Sequence, residues 1–153
     1  MEIEDVFRSY QRPVFAYFLR LVGNPHDAEE LTQETFFRAC GAAIRFRGQS
    51  KVSTWLFGIA RRVLLEAIRA GLFERSAEPA NLPAPAADPD ARLDLERAFA
   101  RLPLPDREAL MLVDVLGFEP SEAAPMVGVS PETFRVRLHR ARGRLRGEYT
   151  RDG

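Results

Sequence analysis

Apolar positions recur at helical spacing along most of this 153-residue chain, and no convincing alternation of apolar and polar positions predicts a β-strand. Between residues 73 and 91 this periodicity gives way to proline, alanine and acidic residues, a composition typical of an extended tether. The pattern therefore predicts an all-α protein. Two small helical domains, 1–72 and 92–153, are joined by a Pro/Ala-rich acidic linker over 73–91.

Three helices are expected in the first domain. The first is a long amphipathic segment, which Pro13 kinks or divides. Asn24 and Pro25 begin the second helix with an N-cap and a proline at the first helical position, and a third helix is expected over 53–70. The side chains expected to be buried in the second and third helices are Ala28, Leu31, Thr35, Phe36, Ala39, Leu56, Ile59, Ala60, Val63, Leu64 and Ala67.

The second domain is expected to open with helices whose apolar positions include Leu95, Phe99 and Leu102. A helix-turn-helix follows, with its first helix over 120–127. Pro125 lies inside that helix, where it removes a backbone hydrogen bond and crowds the preceding turn, so a short or distorted helix is expected.

Residues 128–146 begin with a glycine turn and continue as a helix with distinct faces. Gly128 suits a tight turn and Ser130 suits an N-cap. One face is apolar and the opposite face is rich in arginine, an arrangement suited to the DNA major groove, whereas the alternative is a solvated basic helix. The expected buried stripe is Phe134, Leu138, Ala141 and Leu145.

The formal net charge is zero, but the charge is unevenly distributed. Residues 135–153 carry seven arginines against two acids, a net of +5, whereas 73–134 carry five against twelve, a net of −7. Local charge density matters for binding a polyanion, so the C-terminus is the expected contact. The single cysteine, Cys40, excludes an internal disulfide and a Cys-based metal cluster, and it is predicted to be a small core residue.

Three stretches, in order, resemble bacterial sigma factors of the extracytoplasmic-function (ECF) group of the sigma-70 family. Residues 27–39 (DAEELTQETFFRA) resemble region 2.2 of that family. Residues 46–50 (FRGQS) with 54–61 (TWLFGIAR) resemble the segment that reads the −10 element. Four short segments resemble region 4: 102–103 (LP), 107–110 (REAL), 128–131 (GVSP) and 137–142 (RLHRAR).

The resemblance implies a promoter-specificity subunit that binds core RNA polymerase, reads −10 and −35 elements and helps to melt the −10 region. It implies no catalytic chemistry, cofactor or metal. The residues it assigns to the −35 element are Ser130, Glu132, Thr133, Arg135, Val136, Arg137, His139, Arg140 and Arg142. Those it assigns to the −10 element are Arg45, Phe46, Arg47, Gln49, Ser50, Lys51, Trp55, Arg61 and Arg62.

The loop and Trp55 of the −10 set each have an alternative interpretation. The loop over 45–54 is expected to hold a base flipped out of the melted strand, and otherwise is a surface loop. Trp55 is expected in the core, with a wedge at the duplex edge as the other reading. Arg61 and Arg62 are expected to contact phosphates, because phosphate contacts supply most salt-sensitive affinity.

The same resemblance assigns part of the second helix to core polymerase. The residues assigned are Asp27, Glu30, Gln33, Glu34 and Phe37. In the family this face binds a basic coiled coil of the β′ subunit, whereas the alternative is an ordinary solvated acidic face. The β flap, promoter DNA and an anti-sigma factor are the other implied partners, with no small-molecule substrate.

Several positions depart from the family pattern. Gly58 stands where Arg is usual, Arg62 where Asn is common and Val52 where an aromatic side chain is frequent. In the last helix, Val136 replaces a frequent Ser and offers an apolar contact, for example to a thymine methyl. Phe134 is larger than the usual Val and needs a roomier core.

Two other functions compete with this one. A stand-alone helix-turn-helix regulator would bind duplex DNA without polymerase. An enzyme is disfavoured, because the two histidines, His26 and His139, fall in different domains with no carboxylate or nucleophile arranged around either. No apolar run reaches membrane-spanning length, so a cytoplasmic protein is expected, associated with the nucleoid when it is in holoenzyme.

Overall fold

The structure, a computed structural model, describes residues 1–71 and 89–152. These residues form helices, joined by turns and short loops, and contain no strand, which confirms the all-α expectation. They fall into two compact units, one within Met1–Arg75 and the other within Ser76–Gly153.

The first helix, α1, spans Ile3–Val22 and continues through Pro13 without a break. Val6 before the proline and Val14 after it are both buried, so core packing on both sides offsets the hydrogen bond that proline cannot donate. Gly23 ends the helix at a φ of 77°, and its N–H donates to the Leu19 carbonyl at 2.8 Å.

The second helix, α2, spans Pro25–Ala42 and begins as the sequence predicts. The Asn24 side-chain oxygen accepts the backbone N–H of His26 at 2.9 Å and of Asp27 at 3.1 Å. All five predicted core positions of this helix are buried. The prediction for Cys40 is wrong, because its side chain is exposed: one step of about 100° beyond buried Ala39 carries it off the packed face.

A single 3₁₀ turn at Ala43–Arg45 and a short loop lead to α3, Val52–Arg69. All six predicted core positions of α3 are buried, together with Phe57, which the periodicity did not indicate. The Phe57 ring meets Tyr17 of α1 edge to face, with centroids 5.5 Å apart. Helix α2 packs against both α1 and α3, so the three helices share one core.

The described residues of the second unit, 89–152, form four α-helices and a π-helical segment. Their bounds are Pro89–Ala100 for α4, Leu104–Leu110 for α5, Met111–Val115 for the π segment, Pro120–Met126 for α6 and Pro131–Asp152 for α7. Residues 89–91 were predicted as linker but form the first turn of α4, because proline is well tolerated in a first turn and Asp90 suits its positive end. The remaining predicted linker residues, 73–88, lie outside the described residues.

The core of this unit forms where α4, α5 and α6 pack against α7. Phe99, Leu112 and Phe134 are buried in it. Leu95 was expected there but is 44% exposed, because α4 turns Glu96 inward at that level instead.

Candidate nucleic-acid and partner-binding interfaces

The start of α7 has the geometry predicted for a helix-turn-helix. Gly128 has a φ of 76°, a conformation that a side chain would strain. The Ser130 hydroxyl accepts the Thr133 backbone N–H at 3.2 Å, as an N-cap does. Phe134 is completely buried, so this unit accommodates the larger side chain.

One side of α7 is open to solvent. Val136 is 50% exposed and Arg137 is half-buried. The other predicted contacts on this face that are exposed are Ser130, Glu132, Thr133, Arg135, His139 and Arg140. Beside this face lies an open groove of about 520 Å³, to which α7 contributes Glu132, Thr133, Val136, Arg137, Arg140 and Arg144. A basic helix face with an apolar centre is what base-edge and phosphate contacts require.

Arg142 differs from the rest of the predicted −35 set. Its Nε and Nη2 atoms donate to the two carboxylate oxygens of Asp114, at 3.0 Å and 2.6 Å. These hydrogen bonds raise the pKa of the Arg142 guanidinium above its ordinary value. The guanidinium is therefore held by the protein, on the side of α7 that borders the core.

Helix α6 is short, as Pro125 predicts. It has seven residues and ends at Met126, one residue earlier than expected. A capping box starts it, in which the Glu119 N–H donates to the Glu122 carboxylate at 3.1 Å. Pro125 has no N–H to donate to the carbonyl four residues back, and the turn at Gly128, with its φ of 76°, follows directly after the helix.

In the first unit, the loop between the 3₁₀ turn and α3 is tied by its own hydrogen bonds. The Arg47 backbone N–H donates to the Gln49 side-chain oxygen at 2.8 Å, and the Arg47 guanidinium donates to the Ile44 carbonyl at 2.5 Å. Gly48 has a φ of 75° at the centre of the loop. Arg45, Ser50 and Lys51 are exposed along it. The loop was predicted to reach residue 54, but it ends at Lys51 because α3 begins at Val52.

Trp55 is not a core residue. It is half-buried, and its ring lies 5.1 Å from that of Phe46, so that the first turn of α3 supports the loop. The core prediction for Trp55 fails because its neighbour Leu56 occupies the interior. Two aromatic rings at the edge of a polar loop form a surface on which a base can stack.

Arg61 and Arg62 lie farther along α3. Arg62 is exposed and Arg61 is half-buried. Both lie on α3, the helix that follows the loop.

The predicted polymerase-binding residues share one face of α2. Gln33 is exposed and Asp27 is half-buried. The Glu30 Oε1 atom lies 3.1 Å from the Nε2 atom of His26. Phe37, with 75% of its surface exposed, forms the apolar end of the face. An acidic face ending in an exposed aromatic ring is suited to a basic partner with an apolar contact.

Glu34 on this face is held in place by a neighbour. Arg38 donates to Glu34 at 2.9 Å and also bonds Glu66 of α3. The hydrogen bonds to the two glutamates raise the pKa of the Arg38 guanidinium. Arg38 therefore orients the Glu34 carboxylate and ties α2 to α3.

Sequence reasoning missed Ile44, which is 79% exposed. It lies seven residues beyond Phe37, with exposed Cys40 between them, so the apolar end of the α2 face continues into the 3₁₀ turn. The spacing of Phe37, Cys40 and Ile44 by three and then four residues was the available signal.

Within residues 1–71 and 89–152, no helix is long and apolar enough to cross a membrane. No group of three or more His, Cys, Asp or Glu side chains in the same part of the chain could hold a metal ion.

Two family models match the chain, one on each unit. The model described as Sigma-70 region 2 matches residues 6–71, and that described as Sigma-70, region 4 matches residues 92–145. Regions 2 and 4 in this order, each on a unit whose described residues form helices, define a factor of the sigma-70 class.

Similar proteins narrow the class. The ECF RNA polymerase sigma factor SigE of Mycolicibacterium smegmatis is 34% identical over 94% of this chain, which spans 60% of SigE. The probable RNA polymerase sigma-C factor of Mycobacterium bovis is 35% identical over 94% of this chain and 80% of its own length. The chain belongs to the ECF group of RNA polymerase sigma factors.

A solved structure agrees with this assignment. The sigma factor RpoE of Bartonella quintana, in complex with the anti-sigma factor NepR, superposes with a TM-score of 0.82 at 27% identity. The superposition covers 96% of each chain.

Proposed function

We propose that this chain binds core RNA polymerase and directs transcription initiation by reading the −10 element with its first unit and the −35 element with its second. The observation that carries the proposal is the presence of region 2 and region 4 units in one chain, each with an exposed face suited to its partner. The proposal assigns the chain no catalytic chemistry. In holoenzyme the protein is associated with the nucleoid.

Helix α2 is the proposed polymerase contact. Its acidic residues steer the chain to the basic coiled coil of the β′ clamp, and Phe37 and Ile44 give apolar anchorage. The second unit contacts the β flap. Because polymerase then holds both units, neither DNA contact needs high affinity by itself.

The loop before α3 is the proposed −10 reader. Phe46 and Trp55 supply stacking surfaces for an unpaired base, and the Gln49 amide group can donate to a base edge. Lys51, Arg61 and Arg62 supply positive charge for the phosphates. Held by its own hydrogen bonds, the loop loses little conformational entropy when it binds.

Helix α7 is the proposed −35 reader. Arg140 and His139 are exposed donors for base edges or phosphates, and Val136 offers an apolar contact to a thymine methyl. Arg135 and Arg137 flank them and neutralise phosphates. Ser130 and Thr133 place the start of the helix against the DNA backbone.

An anti-sigma factor is a further proposed partner. RpoE of Bartonella quintana, similar to this chain over almost its whole length, is bound to one. A regulator that covered the α2 face or the open side of α7 would block the contacts proposed above.

The test is transcription by core polymerase of the same organism on templates randomised across both promoter elements. With the full chain added, we expect transcripts to arise from templates that share one −35 and one −10 sequence. Without the chain, core polymerase is expected to make none of these transcripts. Absence of such transcripts, together with no association with core, would refute the proposal. Sequence-specific binding to duplex DNA without core association would instead identify a stand-alone helix-turn-helix regulator.

A further inference from the structure

Two arginines of α7 border its buried stripe on opposite sides. At about 100° per residue, Arg142 lies roughly 70° to one side of the line through Phe134, Leu138 and Ala141, and Arg144 lies roughly 90° to the other. Val136, by the same measure, lies opposite that line. Arg142 and Arg144 therefore flank the packed face, whereas the proposed DNA contacts centre on the far side.

Each of these arginines is bonded to an aspartate from another element. Arg142 bonds Asp114 through two nitrogens, at 3.0 Å and 2.6 Å. Arg144 donates through Nη1 to Asp106 at 2.5 Å, and the Asp106 side chain is only 6% exposed. A two-nitrogen contact restricts the orientation of the guanidinium as well as its distance, and a buried carboxylate needs its cationic partner.

Both aspartates are held by regular backbone structure. Asp106 lies in the first turn of α5, beside the buried Arg107, whose Nε donates to the Leu102 carbonyl at 3.1 Å. Asp114 lies in the π segment, where the Leu116 N–H bonds the Met111 carbonyl at 2.8 Å, five residues back. The extra residue in a π turn changes the directions of nearby side chains, and from this turn Asp114 reaches Arg142.

We propose that Arg142 and Arg144 are positioning residues that set the rotation of α7 about its own axis through Asp114 and Asp106. The inference rests on the proposed function and deepens it, because rotation decides which side chains meet base pairs of the −35 element. With side chains extending about 5 Å from the axis, a rotation of about 20° moves their tips by about 2 Å. That shift is enough to break a hydrogen bond to a base edge.

The first experiment exchanges the charges of one pair in the full chain: Arg142→Asp, Asp114→Arg and the double variant. Arg146→Asp is the matched control, since Arg146 is an exposed arginine of the same helix without an ion pair among the described residues. Base preference is measured with holoenzyme on duplexes randomised at the −35 element. We expect each single variant to lose about tenfold in affinity for the wild-type site and to alter its base preference, and the double variant to regain both.

The second experiment uses Arg144→Lys and Arg144→Ala in the same assay. Arg144→Lys keeps a cation beside buried Asp106, so this variant is expected to retain the wild-type base preference. Arg144→Ala removes the cation and is expected to lose that preference. Thermal unfolding of every variant identifies the temperature range in which each is folded. If the folded single variants keep wild-type affinity and base preference, the pairs only stabilise the unit and the inference is wrong.

Salt dependence separates positioning from phosphate contact. Each phosphate contact adds about 0.9 to the slope of log affinity against log salt, so Arg142→Ala on duplex DNA of unrelated sequence should keep the wild-type slope. A slope reduced by about one would make Arg142 a phosphate contact and overturn the inference. This measurement needs no polymerase, so it decides the role of Arg142 even if wild-type protein fails to start transcripts, the outcome that refutes the proposed function.

Discussion

Arginine side chains in this protein divide by the partners that surround them. Arg38, Arg142 and Arg144 bond carboxylates of other elements, and each such bond restricts the guanidinium to one direction. Arg135 and Arg140 are exposed and form no ion pair within residues 1–71 and 89–152. Fewer arginines near the C-terminus are therefore available to contact DNA than their total number suggests.

At the residue scale, Arg140→Ala is expected to weaken recognition of the −35 element by about 1–3 kcal/mol, because an exposed guanidinium on the open side of α7 is lost. The measurement is equilibrium binding of holoenzyme to the selected promoter and to the same promoter with a scrambled −35 element. Arg146→Ala serves as the control and should bind both as wild type does. Equal losses on the two promoters would assign Arg140 to a phosphate instead of a base.

At the scale of single elements, α7 contributes one side to the proposed DNA contact and the other side to the core of its unit. Phe134 is completely buried and Val136, two residues later, is half exposed, so the same turn serves stability and DNA contact. A helical domain of this size has only a small core, and loss of one large side chain is a large fraction of its stability.

Phe134→Ala is accordingly expected to cost about 3–5 kcal/mol of unfolding free energy in the second unit. Hydrogen exchange measured by mass spectrometry on the full chain should show lost protection in α5, α6 and α7, with α1–α3 unchanged. Tyr149→Ala, at an exposed aromatic position of the same helix, is the control and should leave protection as it is. If α7 of the Phe134→Ala variant stayed protected from hydrogen exchange, the core would tolerate the cavity that the substitution leaves.

At the scale of the whole molecule, the two units have different partners and a charge change can affect one of them alone. The α2 face is acidic and ends in exposed Phe37, whereas the open side of α7 is basic. Opposite charge on the two surfaces suits a chain that binds a basic protein surface with one unit and DNA with the other.

Glu34→Lys is expected to impair binding to core polymerase, because it places a cation where a basic partner docks and beside Arg38. Glu29→Lys makes the same charge change at an exposed position of α2 about 140° around the helix from Glu34, and it is expected to impair core binding less than Glu34→Lys does. Co-purification of each full-length variant with core polymerase is the measurement, and binding to duplex DNA should be unchanged in both. Normal holoenzyme assembly by Glu34→Lys would remove Glu34 from the polymerase-binding set.

Most helices of this protein follow from its local sequence, because helix formation depends on neighbours within a few residues. Helical spacing predicted the buried positions of α2 and α3, and Asn24, Gly128 and Ser130 marked helix boundaries that the structure has. The order of the resembling stretches was enough to identify the family, since motifs are properties of the linear chain. Pro125 correctly predicted a short α6 from one missing N–H.

Packing between helices sets which side of each helix is covered and which charged side chains pair. Cys40 is exposed and Trp55 rests on Phe46, because burial depends on which other helix lies over a position. The Arg142–Asp114 pair joins residues 28 positions apart, and the π turn that carries Asp114 has no local signal. Periodicity therefore indicated a basic helix, but only packing across the unit showed which of its arginines bond acids of the same unit.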